Sequence, residues 1–431
     1  MGGAGWTSLR FESLHNRNFT LIWTSGVVSQ VGDWALAIGL VFFVYLITGS
    51  TLATGAALIV AIVPQALVGL FAGVLVDRWS RKRTMIVTNL VLAIGLLPLL
   101  VVHGVSQIWI VYVVLAFESG VGAFFSPAEG ALIPEVVEDE LLLQANSVYG
   151  SGRQVARLAG AALGGVLVGL FALSGVTWVD IASFVVAAGM LLPIHEPSRP
   201  SRSLAQAVEA SKASEERSFK TEWLEGISGA RASQVAWTIL VLSAITYLGE
   251  GVFGTLAAPF VVSVLHGSGA DYGFFLSFQA LGGIVGGVAV ALAAMRLRPD
   301  RLLPIGAIVF GAMDLVLFNY PLILPGILLA LVLIILIGFP AAAYGAAYTS
   351  LQQSGVGAAI RGRYLAAVQT IALLTMTSGA VLAGFLGHVV GIIPLLEVQG
   401  AVYVVGGVYV AARFHSSSDR EEIGGVQAEP G

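Results

Sequence analysis

Five carboxylates stand inside long apolar runs of the chain: Asp33, Glu118, Asp180, Glu250 and Asp314. A charged side chain at mid-membrane costs roughly 2.5–3.5 kcal/mol on insertion scales, so each of these groups invites a functional explanation. A carboxylate in a water-poor cavity can take a proton from one side of a membrane and release it to the other. It also attracts a cationic cargo, so protonation and cargo binding compete. That competition is the simplest physical basis for proton-coupled export. Structural readings stand beside the functional ones. Glu118 can pair with Arg157 across antiparallel neighbouring segments, and Asp180, a few residues into its run, can cap a helix or pair locally. Glu250 has no basic residue nearby in sequence, the nearest being Arg231, and is the foremost candidate for coupling. No P-loop, H-E-x-x-H or Gly-x-Ser-x-Gly pattern occurs, so ATP-driven pumping and hydrolysis have no support. The chain is read as a non-enzyme that needs no cofactor and no metal, driven by an ion gradient or by the gradient of its own substrate.

The elements that must position these groups are membrane spans. The chain is 57% hydrophobic and 11% charged, against roughly a quarter charged for a soluble domain. Such a composition cannot cover a water-facing surface. Twelve apolar segments reach the roughly 20 residues that a crossing requires. They lie at 19–47, 52–76, 84–102, 107–127, 147–172 and 176–195, then at 234–264, 270–295, 302–319, 322–350, 362–388 and 391–413. All 21 Lys and Arg fall on one side of this arrangement. Arg10 and Arg17 precede the first span, Arg78 to Arg83 follow the second, and Arg296, Arg298 and Arg301 follow the eighth. Arg361 and Arg363 follow the tenth, Arg413 and Arg420 the last, and the remainder lie at the entry of the fifth span or in the central linker. Basic residues mark the cytoplasmic side, so both termini and the linker are expected there. The segment before the first span is polar and lacks a cleavable leader pattern, so that span is expected to serve as its own insertion signal. The expected organisation is a six-helix unit at 1–195, a cytoplasmic linker at 196–232, a second six-helix unit at 233–413 and a cytoplasmic tail at 414–431. The linker reads as a tether or, over 203–225, as an amphipathic surface helix. Cysteine is absent, and the 53 glycines suit spans that pack through small residues.

Between spans two and three runs Gly73-Val74-Leu75-Val76-Asp77-Arg78-Trp79-Ser80-Arg81-Lys82-Arg83. It resembles the signature loop of the major facilitator superfamily, G-x-L-x-D-R-x-G-R-K/R, with Ser80 at the second glycine. Four further stretches resemble the branch that holds macrolide-efflux pumps and enterobactin-type siderophore exporters. They are Gly32-Asp33-Trp34, Ser126-Pro127-Ala128-Glu129, Gln144-Ala145-Asn146-Ser147 and Trp178-Val179-Asp180-Ile181-Ala182-Ser183-Phe184. Gly160-Ala161-Ala162-Leu163-Gly164-Gly165 is similar to the antiporter motif G-P-x-x-G-G, with Ala161 in place of the proline.

The resemblance implies an all-α membrane protein of two six-helix bundles that exports hydrophobic or amphipathic small molecules by proton antiport and alternating access. It implies a multi-pass, monomeric protein of a bacterial inner membrane, with substrate, protons and the lipid bilayer as partners and no nucleic acid. It implies a conformational latch of Gly73, Asp77, Arg78, Arg81 and Lys82, with Glu129 a candidate partner for Arg81. It places spans one, four, seven and ten around a cavity, and with them Asp33, Glu118, Glu250, Tyr344 and Tyr348, with Arg157 beside them. Asp314, in span nine, falls on the periphery of its bundle. Gly160, Gly164 and Gly165 become sites of close helix packing. A dedicated siderophore or lipid exporter is the alternative within the fold, and a non-transporting protein that keeps the fold is the alternative outside it.

Overall fold

The computed structural model describes residues 12–194, 219–293 and 298–425. Arg10, Arg296 and the linker residues 196–218 lie outside them, as do the side chains of Asp77 and Arg420. Among the described residues the chain is all helix. The helices are α1 Arg17–Thr48, α2 Thr51–Asp77, α3 Arg81–Gly95, α4 Ile108–Gly122, α5 Phe125–Val136, α6 Leu142–Leu191, α7 Phe219–Ala232, α8 Gln234–Pro259, α9 Gly269–Ala293, α10 Pro299–Asn319, α11 Ile327–Ser354, α12 Ala358–Leu386 and α13 Ile392–Gly425. Eleven described segments are long and apolar enough to cross a bilayer. One of them, Gln144–Leu191, is broken at Ala172 (φ 54°, ψ −154°), where the backbone leaves helical geometry. The break divides it into the two spans that hydropathy places on either side of Ser174-Gly175. Large side chains on the outside remain bare, with Leu292 83% and Ile323 82% exposed. Such a surface is stable against hydrocarbon and unfavourable against water.

The chain forms two compact units. The first takes in 1–43 and 60–212, the second 44–59 and 213–431. In the first, α3 packs on α4, α5 and α6. Ser80 supplies the N-cap of α3: its side chain accepts from the Arg83 amide at 3.3 Å, so a hydroxyl satisfies a helix-end donor that a glycine could not reach. Gly160 and Gly164 bring α6 against α1. A Cβ on Gly160 would stand 2.6 Å from the Val31 carbonyl, and one on Gly164 would overlap the Ala35 carbonyl. Gly165 is buried beside them. Two of the motif glycines therefore permit a backbone-to-backbone approach that any larger residue would block.

In the second unit α10 packs on α11 and α13, α9 on α11, and α8 on α12 and α13. The end of the central linker is helix α7, which docks on α12: Gly226 meets the Arg363 backbone, and Arg363 pairs with Glu225 at 2.6 Å. The final helix runs on to Gly425, past the expected start of a tail at 414.

Candidate functional site

The first unit gathers three of the five intramembrane carboxylates. Asp33 lies halfway along α1, Glu118 on α4 and Asp180 on the second half of α6. One oxygen from each falls within 4.8 Å of the others. Asp180 is 0% exposed. Its Oδ1 stands 3.0 Å from the Ser183 hydroxyl, whose hydrogen is shared with the Asp180 backbone carbonyl at 2.8 Å, and rests against Gly32, where a Cβ would collide with it. The neighbouring glycine of the Gly32-Asp33-Trp34 step thus makes room for the Asp180 carboxylate. Asp180 Oδ2 and Glu118 Oε2 are buried with no hydrogen-bond partner.

Two structural readings of these residues change. Glu118 does not pair with Arg157; the Arg157 guanidinium lies over the Trp34 ring, 5.4 Å from its centroid. An exposed guanidinium on a ring face keeps most of its hydration, which a pairing with buried Glu118 would forfeit. Asp180 is not a helix cap; it stands well inside the helix that follows the Ala172 break and faces two other acids.

The second unit holds a different arrangement. Glu250 on α8 accepts a 2.6 Å hydrogen bond from the Tyr403 hydroxyl on α13. The Tyr403 ring meets Phe310 edge-on at 4.5 Å and Tyr344 at 5.3 Å. Tyr344 and Tyr348, one turn apart on α11, stack at 5.8 Å, and their hydroxyls contact Thr246 at 3.3 Å and Ser243 at 2.7 Å. Both tyrosines therefore face α8, as their spacing of four requires. Asp314 on α10 is 2% exposed, and its Oδ2 has no hydrogen-bond partner. It lies close enough to Glu250 for the two charges to act on each other. The sequence places Asp314 at the bundle periphery; the structure buries it, because α10 is enclosed by α11 and α13. Asp180, Asp314 and Tyr403 are the members of these clusters that sequence reasoning left out of the candidate site. The signal for the two acids was their apolar surroundings, and Tyr403 carried none.

At the signature loop, Arg81 pairs with Glu135 at 3.8 Å. Glu129, the partner expected from sequence, is 1% exposed and is held instead by the Tyr149 hydroxyl at 2.6 Å, with the Arg153 guanidinium 3.3 Å from that oxygen. Glu129 Oε1 rests on α1 at Gly26. The i, i+6 spacing of Glu129 and Glu135 on α5 sends the two acids to different neighbours. Lys82 donates to the Leu192 and Ile194 carbonyls, each at 2.7 Å, and so caps the end of α6. Gly73 lies on α2 with open space where a Cβ would stand. Arg78 and Arg83 line a groove of about 610 Å³, together with Trp79, which stacks on Phe124 at 5.9 Å.

A long helical chain with this loop and buried acids in both units has the build of a major facilitator transporter. The D-xylose–proton symporter has a similar fold, with a TM-score of 0.69 at 15% identity over 91% of this chain and 96% of that one. The family described as transmembrane secretion effector matches residues 8–422, and the chain belongs to it. Relatives include the Bacillus subtilis MFS-type transporter YvqJ, 23% identical and spanning 92% of both chains. Macrolide efflux protein A of Streptococcus pyogenes is 23% identical over 87% of this chain and 90% of its own. Multidrug efflux pump Tap of Mycolicibacterium fortuitum is 24% identical over 86% and 90%. The chain is thus a multi-pass membrane transporter and not an enzyme.

Proposed function

We propose that this transporter exports hydrophobic or amphipathic small molecules from the cytoplasm across a bacterial inner membrane, in exchange for protons, by alternating access. The observation that carries the reading is the Glu250–Tyr403 contact. A carboxylate inside a span accepts there from a neutral hydroxyl, and a neutral donor of this kind is compatible with the carboxylate gaining or losing a proton. Tyr344 and Tyr348 add aromatic surface along α8, suited to apolar cargo. Asp33 and Glu118 supply a second acidic centre in the first unit. Relatives named as macrolide and multidrug efflux proteins support the cargo class.

Asp77, Arg78, Arg81 and Lys82, beside Gly73 and with Glu135 in the place expected for Glu129, form the latch of this reading. The Arg81–Glu135 pair and the Lys82 caps tie α3 to α5 and α6. Both termini lie on the cytoplasmic side, and the protein works as a monomer. The test is accumulation of a fluorescent macrolide or a lipophilic cationic dye in cells expressing the protein. Wild type should keep cells several-fold emptier than Asp77→Asn at equal membrane abundance, and a protonophore should erase the difference. Equal accumulation in both would remove the drug-export reading and leave a dedicated siderophore or lipid as cargo.

A further inference from the structure

The acidic cluster of the first unit differs in kind from a lone intramembrane proton carrier. Three helices each contribute one carboxylate to it, and among the described residues no Lys or Arg forms an ion pair with any of the three. The nearby Arg157 is engaged with the face of Trp34. Asp180 is wholly buried, and its two oxygens are unequal. Oδ1 lies beside Ser183 and against the wall at Gly32, while Oδ2 has no partner. Glu118 Oε2 is likewise buried without a partner. Buried carboxyl oxygens with no donor are relieved either by protons or by a positive charge between them.

We propose that Asp33, Glu118 and Asp180 form a binding site for a hard divalent cation, with Ca2+ as the probe and Ser183 beside Asp180. The donor set is oxygen alone, which suits Ca2+ or Mn2+ and disfavours ions that seek imidazole or thiolate. The three oxygens lie within 4.8 Å of one another, near enough for one ion to touch all three. Mg2+, at about 2.0–2.1 Å, demands a tighter and more regular shell and gives up its water reluctantly. Binding releases any protons the three acids hold, because only ionised carboxylates ligate. The site goes beyond the export reading, and binding is measured without transport, so either can fail alone.

The experiment uses the purified full chain in detergent at mildly alkaline pH. Tb3+, a luminescent stand-in for Ca2+, is excited through tryptophan, and Ca2+ is then titrated in; calorimetry with Ca2+ alone runs in parallel. The expected result is one saturable site, Tb3+ emission quenched by Ca2+, and a loss of at least tenfold in Ca2+ affinity in Asp180→Asn and in Glu118→Gln. Trp34→Phe should dim the Tb3+ signal while leaving the calorimetric affinity within twofold. Asp300→Asn, on a surface ion pair of the second unit, should behave as wild type. If a cluster variant elutes as aggregate, Asp33→Asn or Ser183→Ala carries the comparison. Absence of saturable Ca2+ binding to wild type overturns the proposal, as does an affinity unchanged in monodisperse cluster variants; either result leaves the three acids to protons.

Discussion

The two units solve the problem of a buried carboxylate in opposite ways. The first brings three acids together, with the Ser183 hydroxyl beside Asp180 and, among the described residues, no ion pair to any of them. The second meets Glu250 with the Tyr403 hydroxyl inside a shell of aromatic rings and keeps its other buried acid, Asp314, on a separate helix. Like charges in one place raise the cost of ionising any of them, and only protons or a bound cation relieve it. A carboxylate that accepts from a neutral hydroxyl is stabilised in its ionised form without a fixed cation being required for that bond. The first arrangement is therefore suited to holding a counter-ion and the second to switching.

The comparison can be broken most sharply at Glu250. Glu250→Gln keeps the acceptor for Tyr403 and removes the titratable group, so gradient-driven transport should fall at least tenfold while folding is preserved; drug flux in vesicles measures it. The next test acts on the first unit. Ca2+ at about a hundred times its dissociation constant should stabilise wild type by ~2.7 kcal/mol, read as a rise in thermal midpoint that Asp180→Asn lacks. A midpoint indifferent to Ca2+ would make the two units alike in needing only protons.

Two smaller effects should have opposite signs. Tyr403→Phe removes the hydroxyl that donates to Glu250 and should cost about 1–3 kcal/mol of stability, measured by thermal unfolding in detergent. Glu118→Gln removes one of three like charges and should stabilise the ion-free protein by about 0.5–2 kcal/mol, by the same measurement. If both variants shifted the midpoint in one direction, the distinction between a crowded and a partnered site would be lost.

The fold was largely legible in the chain, because bilayer thickness sets span length and apolar composition reports it directly. Expected spans at 19–47, 52–76 and 234–264 lie close to the helices at 17–48 and 51–77 and to the segment at 234–264, whose last turn is a π-helix after Pro259. The glycines at 160 and 164 were legible too, since their spacing puts both on one helix face. Partners were harder to read. Arg81 was expected to reach Glu129 and meets Glu135, because a difference of six residues on α5 turns an acid to another neighbour, and sequence spacing does not say which neighbour is there. The meeting of Asp33, Glu118 and Asp180 depends on three helices far apart in sequence. The burial of Asp314 depends on how α10 is enclosed, and neither its own turn nor the adjoining ones record that.

The most direct measurement of the central claim uses inside-out vesicles with an imposed pH gradient and a panel of lipophilic cationic and neutral drugs. Wild type and Glu250→Gln are run side by side, with and without a protonophore. The account predicts uptake in wild type that the protonophore abolishes and that Glu250→Gln lacks. Uptake in Glu250→Gln equal to wild type and still sensitive to the protonophore would contradict it, and would move coupling to the acids of the first unit.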